Sequence, residues 1–226
     1  MKNIDDICIL VQARLGSERV PKKMLKPFAG TTLFENVINI IQNTKLIKDN
    51  FYVSIHEQEL KDIAKNKGVK IFHRSKKSAD SEGINIREIY EWWDKLSFKY
   101  VILVNGCNPF LKSETIDEFI LEYINSDSNS MFGVIPKKNY FWDKNSKLIT
   151  MWPNTEVMNT KRVDITYEAA HCLYASYLDI IGKGMWMGDL NNIKLYPMKD
   201  FEVFDIDHQW QFDMAETMYK KLNNIL

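Results

Sequence analysis

Two apolar periods alternate along the first 72 residues of the chain. Short apolar runs of strand length lie at residues 7–12, 51–55 and 69–72. Between them, apolar positions recur every three to four residues over residues 33–41 and 57–67, as on one face of a helix. The order β-α-β-α-β predicts a parallel sheet whose strands are joined by right-handed crossovers.

The alternation continues in the second half of the chain but becomes less regular. Further elements are predicted as helices over residues 84–96 and 113–125, buried strands over residues 100–104 and 131–136, a strand-like run over residues 168–175, a short helix over residues 176–182, a strand over residues 193–197 and a last helix from Gln209 to the end. Residues 137–167 show no helical pattern and indicate an inserted arm or small lobe. We therefore expect one α/β domain, residues 1–226, that carries this arm.

A cation-rich loop with small residues follows the first strand. It contains Gly16 and Ser17 among the cations Arg14, Arg19 and Lys23. Small residues let backbone N–H groups approach a ligand closely, and fixed cations neutralise its charge, so the loop favours polyphosphate binding. The alternative is a solvated basic loop with no ligand.

A second polar cluster, Asp205-Ile206-Asp207, precedes the last helix. In a strand, residues two apart point the same way, so both carboxylates would lie on one face. Two such charges repel each other unless a cation lies beside them, and oxygen ligands of this kind suit Mg²⁺ or another divalent cation. The alternative is that one aspartate caps the helix and the other is solvated.

Charge and cysteine content limit the partners of the protein. The 226 residues contain 30 Lys and Arg and 30 Asp and Glu, so no net field attracts nucleic acid or an anionic membrane. No apolar run approaches the roughly 20 residues that cross a bilayer. Three separated cysteines and no signal peptide predict a reducing, cytoplasmic environment. The charge balance and the lack of a spanning run predict no nucleic-acid or membrane partner.

The order R-x-x-S-x-R-x-P-x-K after the first strand resembles a family signature. The residues that carry it are Arg14, Ser17, Arg19, Pro21 and Lys23. The signature is that of the cytidylyltransferases that activate 2-keto-3-deoxy sugar acids, the CMP-sialate and CMP-Kdo synthetases. The ending D-I-D followed by Ala215-Glu216 resembles the sialate enzymes independently. The resemblance implies a three-layer Rossmann-like nucleotidyltransferase fold with a mostly parallel, mixed sheet, and a homodimer in which residues 137–167 form the dimerisation arm.

The resemblance also implies a set of site residues. Residues implied to bind the nucleotide CTP are Ala13, Arg14, Gly16, Ser17, Arg19, Lys23, Arg74, Ser81 and Asn105. Arg14 and Lys23 would neutralise the departing phosphates, Asp205 and Asp207 would hold Mg²⁺, and Asp207 would be catalytic through that ion. Asn105 is a shorter amide in the place of the family glutamine that reads cytosine. For the segment containing Arg74 and Ser81, a plain surface loop is the alternative.

Departures from the family pattern fall mainly on the acceptor side. Met24 replaces an amide, and Cys107 replaces the metal-binding aspartate of the Kdo enzymes. The family's sugar-binding N-G-A-I-Y appears here as residues 170–174, with His171 and Tyr174 as candidate acceptor-binding residues. A satisfied core histidine is the favoured interpretation of His171. The acceptor is therefore expected to be a small acidic sugar, not necessarily sialic acid.

The expected reaction joins CMP from CTP to this sugar and releases pyrophosphate, for surface polysaccharide biosynthesis. Three other hypotheses remain open: a nucleotidyltransferase with a different acceptor, a glycosyltransferase of similar α/β architecture that uses a nucleotide sugar, and a nucleotide-binding protein without activity. A glycosyltransferase would commonly carry its D-x-D in mid-chain and would lack the basic loop.

Overall fold

The computed structural model describes residues 2–46, 49–80, 84–151, 159–184 and 192–225. The strands in these residues are β1 (Ile7–Gln12), β2 (Pro27–Phe28), β3 (Thr31–Thr32), β4 (Phe51–Ile55), β5 (Lys70–His73), β6 (Tyr100–Val104), β7 (Ser130–Lys137), β8 (Thr166–Tyr177) and β9 (Ile193–Pro197). The helices are α1 (Leu33–Gln42), α2 (Gln58–Asn66), α3 (Lys76–Asp80), α4 (Ile86–Ile89), α5 (Ser113–Ile124), α6 (Leu178–Gly182) and α7 (Gln209–Leu222). None of these helices is long and apolar enough to cross a membrane.

Seven strands form one mixed sheet in the order β5-β4-β1-β6-β8-β7-β9. Strand β8 is antiparallel to β6 and β7, whereas the other neighbouring pairs are parallel. The mostly parallel, mixed sheet is therefore confirmed. Strands β2 and β3 form a separate small antiparallel pair between the basic loop and α1.

Alternate residues of β1 enter two different cores. Ile7 and Ile9 pack into a large cluster with side chains from α1, α2, α5 and α7, whereas Cys8 and Leu10 pack against the region of α4 and α6. Because both faces of β1 are covered, its sequence is a continuous apolar run without polar alternation. The result is the expected three-layer arrangement.

Two helical segments differ from the sequence-based expectation. The predicted helix over residues 84–96 is regular only over α4, because Tyr90 leaves the helical conformation. The following Trp92 is buried, and its indole nitrogen donates a hydrogen bond to Gln12 at 2.9 Å. Helix α3 lies between the predicted strand over residues 69–72 and the predicted helix over residues 84–96, where no element was predicted. Contacts with the rest of the fold, and not local periodicity, determine both segments.

The predicted arm, residues 137–167, connects β7 to β8 and includes the last residue of β7 and the first two residues of β8. Strand pairing of β7 with β8 continues out to Lys137 opposite Thr166, and one isolated bridge joins Trp142 to Leu148. Residues 152–158 of the arm lie outside the described part. Large apolar side chains in the described part of the arm are exposed: Trp142, Ile149, Met151 and Ile165. Its role in dimerisation stays a prediction.

A reciprocal cap begins α1 and gives a test of local stability. The Thr32 hydroxyl accepts a hydrogen bond from the Glu35 amide at 3.1 Å, and the Glu35 carboxylate accepts one from the Thr32 amide at 3.0 Å. Thr32→Ala should lower the free energy of unfolding by about 1 kcal/mol in urea denaturation. Glu35→Gln keeps an acceptor at the same place and should change it by much less; an equal loss in both variants would contradict this account.

Candidate active site

A cleft follows the edge of the sheet where the parallel strands end. It consists of two adjoining cavities of about 440 and 770 Å³, and both are lined by Gln12, Arg14, Arg19 and Asn105. Gln12 ends β1 and Asn105 follows β6, so the cleft opens at the carboxyl ends of two neighbouring strands. This is where ligands bind in open α/β sheets.

The basic loop and the Asp205–Asp207 segment meet in this cleft. Lys23 lines the larger cavity, Asp207 lines the smaller one, and Arg19 lines both. Polar contacts join the loop and the residues after it to the C-terminal segment: Arg19 with Asp207 at 2.7 Å, Lys23 Nζ with the Ile206 carbonyl, Lys26 Nζ with Gln209 Oε1 at 2.6 Å, and the Ala29 amide with Glu216 Oε1 at 3.1 Å. Two segments far apart in sequence thus form one wall.

Lys23 is held inside the cleft by the conformation of the loop. Lys22 adopts a left-handed conformation with φ of 51°, and a short 3-10 turn, Lys23–Leu25, follows it. The turn buries the Lys23 side chain to 8% exposure, although lysine is rarely buried without a partner. Its ammonium group donates a hydrogen bond to the Ile206 carbonyl. A cation is therefore fixed in position beside the aspartates.

The Asp205–Asp207 segment has no regular secondary structure and is not a strand of the sheet, so the strand geometry assumed for it is wrong. Ile206 is fully buried, and its amide donates a hydrogen bond to the Cys107 carbonyl at 3.0 Å. With Ile206 pointing into the core, the aspartates on either side both line the smaller cavity. The predicted juxtaposition of the two carboxylates is present. It arises because Ile206 between them is buried, and not because the segment pairs with a strand.

The two carboxylates fit a divalent cation. Asp205 Oδ1 is buried without a hydrogen-bond partner, and burial, followed by the charge of Asp207, raises the pKa of Asp205. A cation would satisfy this oxygen and relieve the repulsion. Among the described residues, no cluster of three or more His, Cys, Asp or Glu has the geometry to hold a metal. A pair of oxygen ligands suits Mg²⁺, which keeps several waters and binds phosphates.

Glu57 lines the larger cavity and was missed by the sequence analysis. Its Oε1 accepts a hydrogen bond from the Leu15 amide at 2.7 Å, whereas its Oε2 is buried without a hydrogen-bond partner. The contact fixes the basic loop just ahead of Gly16 and Ser17, which line the same cavity. The sequence shows Glu57 only as the start of a helix, and its reach across to the loop has no local signal.

Arg74 is a buried cation that braces the start of the basic loop. It is 3% exposed, and it donates hydrogen bonds to the Ala13 carbonyl at 3.3 Å and to Ser78 Oγ at 3.1 Å. Burial lowers the pKa of Arg74 to about 10. The alternative of a plain surface loop is therefore wrong for Arg74, which lines the smaller cavity. Ser81 lies outside the described residues.

The end of α3 also forms part of the wall of the larger cavity. Arg14 donates hydrogen bonds to the carbonyls of Ala79, at 3.3 Å, and Asp80. Ala13, which is 2% exposed, lines the cavity with them. Backbone oxygens therefore orient the Arg14 guanidinium at this wall of the cavity.

Asn105 links the end of β6 to β8. Its side-chain nitrogen donates a hydrogen bond to the His171 carbonyl at 2.7 Å, and its Oδ1 accepts one from the Cys107 amide at 3.1 Å. One donor hydrogen and one acceptor lone pair of the amide remain for a ligand. Both cavities reach this side chain.

His171 lies on an irregularity in β8 and faces the cleft. The pairing of β7 with β8 shifts register between Phe132 and Val134, and His171 opposite this shift has φ of 51°. Its ring is exposed in the smaller cavity, and a hydrogen bond of 2.8 Å joins its Nδ1 to the Tyr174 hydroxyl. The favoured interpretation of His171 as a core histidine is wrong. A left-handed histidine has no signature in the sequence.

Comparison with curated proteins finds relatives that match about half of the chain. A protein of Bacillus subtilis named spore coat polysaccharide biosynthesis protein SpsF is 23% identical over 133 residues, which are 56% of this chain and 53% of that protein. A 3-deoxy-manno-octulosonate cytidylyltransferase of Francisella tularensis is 31% identical over 116 residues, 50% of this chain and 44% of that protein. The chain thus spans about half the length of these curated relatives.

Solved structures share the fold over nearly the whole chain. CMP:2-keto-3-deoxy-manno-octonic acid synthetase, solved in complex with CTP, superposes with a TM-score of 0.69 and 11% identity, covering 96% of this chain and 99% of that one. A 4-diphosphocytidyl-2C-methyl-D-erythritol synthase from Anaerococcus prevotii superposes with a TM-score of 0.66 and 15% identity, covering 96% of this chain and 98% of that one. A family profile described as cytidylyltransferase matches residues 8–226. Because the profile covers the strands, the basic loop and the aspartate pair together, the chain belongs to the cytidylyltransferase family.

Proposed function

We propose that this protein transfers CMP from CTP to a small acidic 2-keto-3-deoxy sugar, releases pyrophosphate and serves surface polysaccharide biosynthesis. The observation that carries the proposal is the cleft in which Arg19 and Lys23 face Asp205 and Asp207. Cations of the loop match a triphosphate, and the carboxylates match the cation that accompanies it.

The larger cavity is the proposed place of the triphosphate. Gly16 and Ser17 let the backbone approach the phosphates, and Arg14 and Lys23 neutralise the charge that develops on the leaving pyrophosphate. Because Lys23 is fixed by its buried turn, little reorganisation is needed when that charge appears. Ala13, Arg74, Ser81 and Asn105 are the proposed contacts of the nucleoside.

Asp205 and Asp207 are the residues that would hold Mg²⁺. The chemistry supplied by that ion when it is bound is polarisation of the α-phosphate and a lower pKa of the attacking hydroxyl. The chain itself orients the two carboxylates, through the buried Ile206 between them and through Gln211, whose Oε1 accepts hydrogen bonds from the Asp207 amide at 2.8 Å and the His208 amide at 2.7 Å. Positioning and charge neutralisation are thus the main contributions of the protein.

His171 and Tyr174 are the proposed acceptor-binding pair, because both line the smaller cavity beside the aspartates. His171→Gly should raise KM for the acceptor by about tenfold with KM for CTP unchanged, since a hydrogen-bonding side chain is lost. It should not lower the free energy of unfolding, because glycine adopts the left-handed conformation without strain. Steady-state kinetics and urea denaturation test both parts. A rise in KM for CTP instead would place His171 on the nucleotide side.

The experiment that tests the function is a panel of pyrophosphate-release assays. Each of the four nucleoside triphosphates is combined with sialic, legionaminic, pseudaminic and Kdo-type acids in the presence of Mg²⁺. The proposal expects turnover with CTP and at least one acid. Preference for a purine triphosphate, or binding of CTP without turnover on any acceptor, would contradict it. The homodimer and the cytoplasmic location stay predictions, and sedimentation of the purified protein tests the first.

A further inference from the structure

We propose that Arg19 competes with the divalent cation for Asp207, so that the protein binds the cation weakly until a triphosphate draws Arg19 away. This inference rests on the proposed function, because it takes Asp205 and Asp207 as the ligands of that cation. It gives Arg19 a second role besides phosphate binding: it makes binding of the cation depend on binding of the nucleotide.

The ion pair itself is the first observation. Arg19 Nη2 lies 2.7 Å from Asp207 Oδ1, which is the contact distance of a charge-assisted hydrogen bond. A guanidinium at that oxygen uses one of its lone pairs and places a positive charge beside any metal ion bound there, so the two cations oppose each other at Asp207. Asp205 Oδ1, by contrast, is buried with no hydrogen-bond partner. One half of the carboxylate pair is therefore available to a cation, while the other half is shared with Arg19.

The surroundings decide which partner moves. The Asp207 amide is held by Gln211 at 2.8 Å, and the neighbouring Ile206 is buried and bonded to Cys107, so Asp207 is fixed at its backbone. The Arg19 side chain is 59% exposed, and within the described residues Asp207 is its one ion-pair partner. Exposed ion pairs contribute little to stability, so the release of Arg19 from Asp207 requires little free energy.

The Arg19 side chain borders a second region of the cleft, the larger cavity. It lines both the smaller cavity, where the aspartates lie, and the larger cavity, where the loop residues face the proposed triphosphate. A triphosphate carries more negative charge than one carboxylate and offers more acceptor oxygens to a guanidinium. Its entry therefore favours a move of Arg19 from Asp207 to the phosphates, and Asp207 then becomes available to the cation.

The competition predicts effects of opposite sign on two ligands. Removing Arg19 removes a positive charge beside the carboxylates, so the cation alone should bind more tightly. It also removes a phosphate contact, so the nucleotide alone should bind more weakly. A role in phosphate binding only would give the second effect without the first, and general damage to the site would weaken both.

The test measures Mn²⁺ binding to the purified full chain by electron paramagnetic resonance, without nucleotide and then with CTP and no acceptor. Arg19→Gln should lower the dissociation constant of Mn²⁺ alone by about tenfold and raise that of CTP alone by a similar factor. Arg14→Gln is the matched control: it removes a cation of the same cleft that contacts backbone carbonyls and not Asp207. It should change the Mn²⁺ constant by less than about threefold.

The outcomes separate this inference from the function on which it rests. Unchanged or weaker binding of Mn²⁺ alone in Arg19→Gln would overturn it, and so would equal tightening in Arg14→Gln, which would show a general charge effect. Both results leave the proposed function intact if CTP increases Mn²⁺ binding to the wild-type protein. If Mn²⁺ does not bind to the wild type even with CTP, the metal site and this inference are overturned together.

Discussion

Asp205→Asn should lower kcat by at least about 1000-fold while the free energy of unfolding stays the same or rises. Asparagine keeps the shape of the side chain, so the packing around the buried Ile206 is retained. It removes the negative charge with which Asp205 would hold the divalent cation. Activity and stability should therefore change in opposite directions, which is typical of a group placed for function at some cost to the fold.

The sign of the stability effect follows from the environment of Asp205. Burial and the charge of Asp207 raise the pKa of Asp205, in spite of the nearby Lys23. The folded protein thus favours the protonated form, and the stability from that form is lost as the pH rises through the raised pKa. Asparagine avoids this loss at neutral pH. Its advantage should shrink as the pH falls towards the ordinary aspartate pKa of about 4.

Pyrophosphate release and urea denaturation at pH 7 measure the two effects. Asp213→Asn is the control, because Asp213 is exposed on α7 and its carboxylate accepts a hydrogen bond only from the neighbouring Gln209 among the described residues. It should retain activity. If Asp205→Asn kept wild-type turnover, the aspartate pair would not be the metal site. If it lost stability instead, the repulsion inferred between the two carboxylates would not exist.

Buried apolar runs were the part of the fold that the sequence predicted best. Strands β4 and β6 have the bounds expected for them, residues 51–55 and 100–104, and nearly all of their side chains are buried. Each run has polar neighbours at its ends, and burial of its apolar side chains fixes where the strand begins and ends. The order of strands and helices in the first 72 residues then gives the parallel half of the sheet and, with it, the edge where the cleft lies.

The segments that the sequence predicted wrongly depend on hydrogen-bond partners that are distant in sequence. Helix α3 is short and polar, and Arg74, which donates hydrogen bonds to Ser78, joins it to the loop after β1. Trp92 completes a bond to Gln12 instead of continuing α4. In both cases a tertiary hydrogen bond outweighs the local pattern, and no periodicity in the sequence records it.

The candidate site likewise contains residues that the sequence could predict and residues that it could not. The loop cations and the aspartate pair could be predicted as site residues, because several charged residues in a fixed order indicate a shared ligand. Glu57 was not visible, and His171 was named only through the family resemblance, with the core as its favoured place. Each depends on one backbone detail: a hydrogen bond to the Leu15 amide in one case, a left-handed φ in the other. Single residues whose placement depends on the neighbouring strand are thus the part of an active site that a sequence alone conceals.

Lys23→Met should lower kcat by about 100- to 1000-fold with a much smaller change in KM for CTP. The ammonium group is fixed in the larger cavity by the buried turn after Lys22. Its charge is therefore in place when negative charge develops on the leaving pyrophosphate, which is when a fixed cation contributes most. Methionine is of similar length and apolar, so it fills the same buried volume without the charge.

Lys26→Met separates this electrostatic role from a structural one. Lys23 and Lys26 lie in the same segment, and both donate hydrogen bonds to the C-terminal segment, to the Ile206 carbonyl and to Gln209 Oε1. Only Lys23 of the two lines a cavity of the cleft among the described residues. Loss of either contact should cost some stability, about 1 to 3 kcal/mol where the Ile206 carbonyl is left buried and unpaired. Only Lys23→Met should lose turnover. Equal loss of kcat in both variants would mean that the lysines act by joining the loop to the C-terminal segment, and that the charge of Lys23 takes no part in departure of the pyrophosphate.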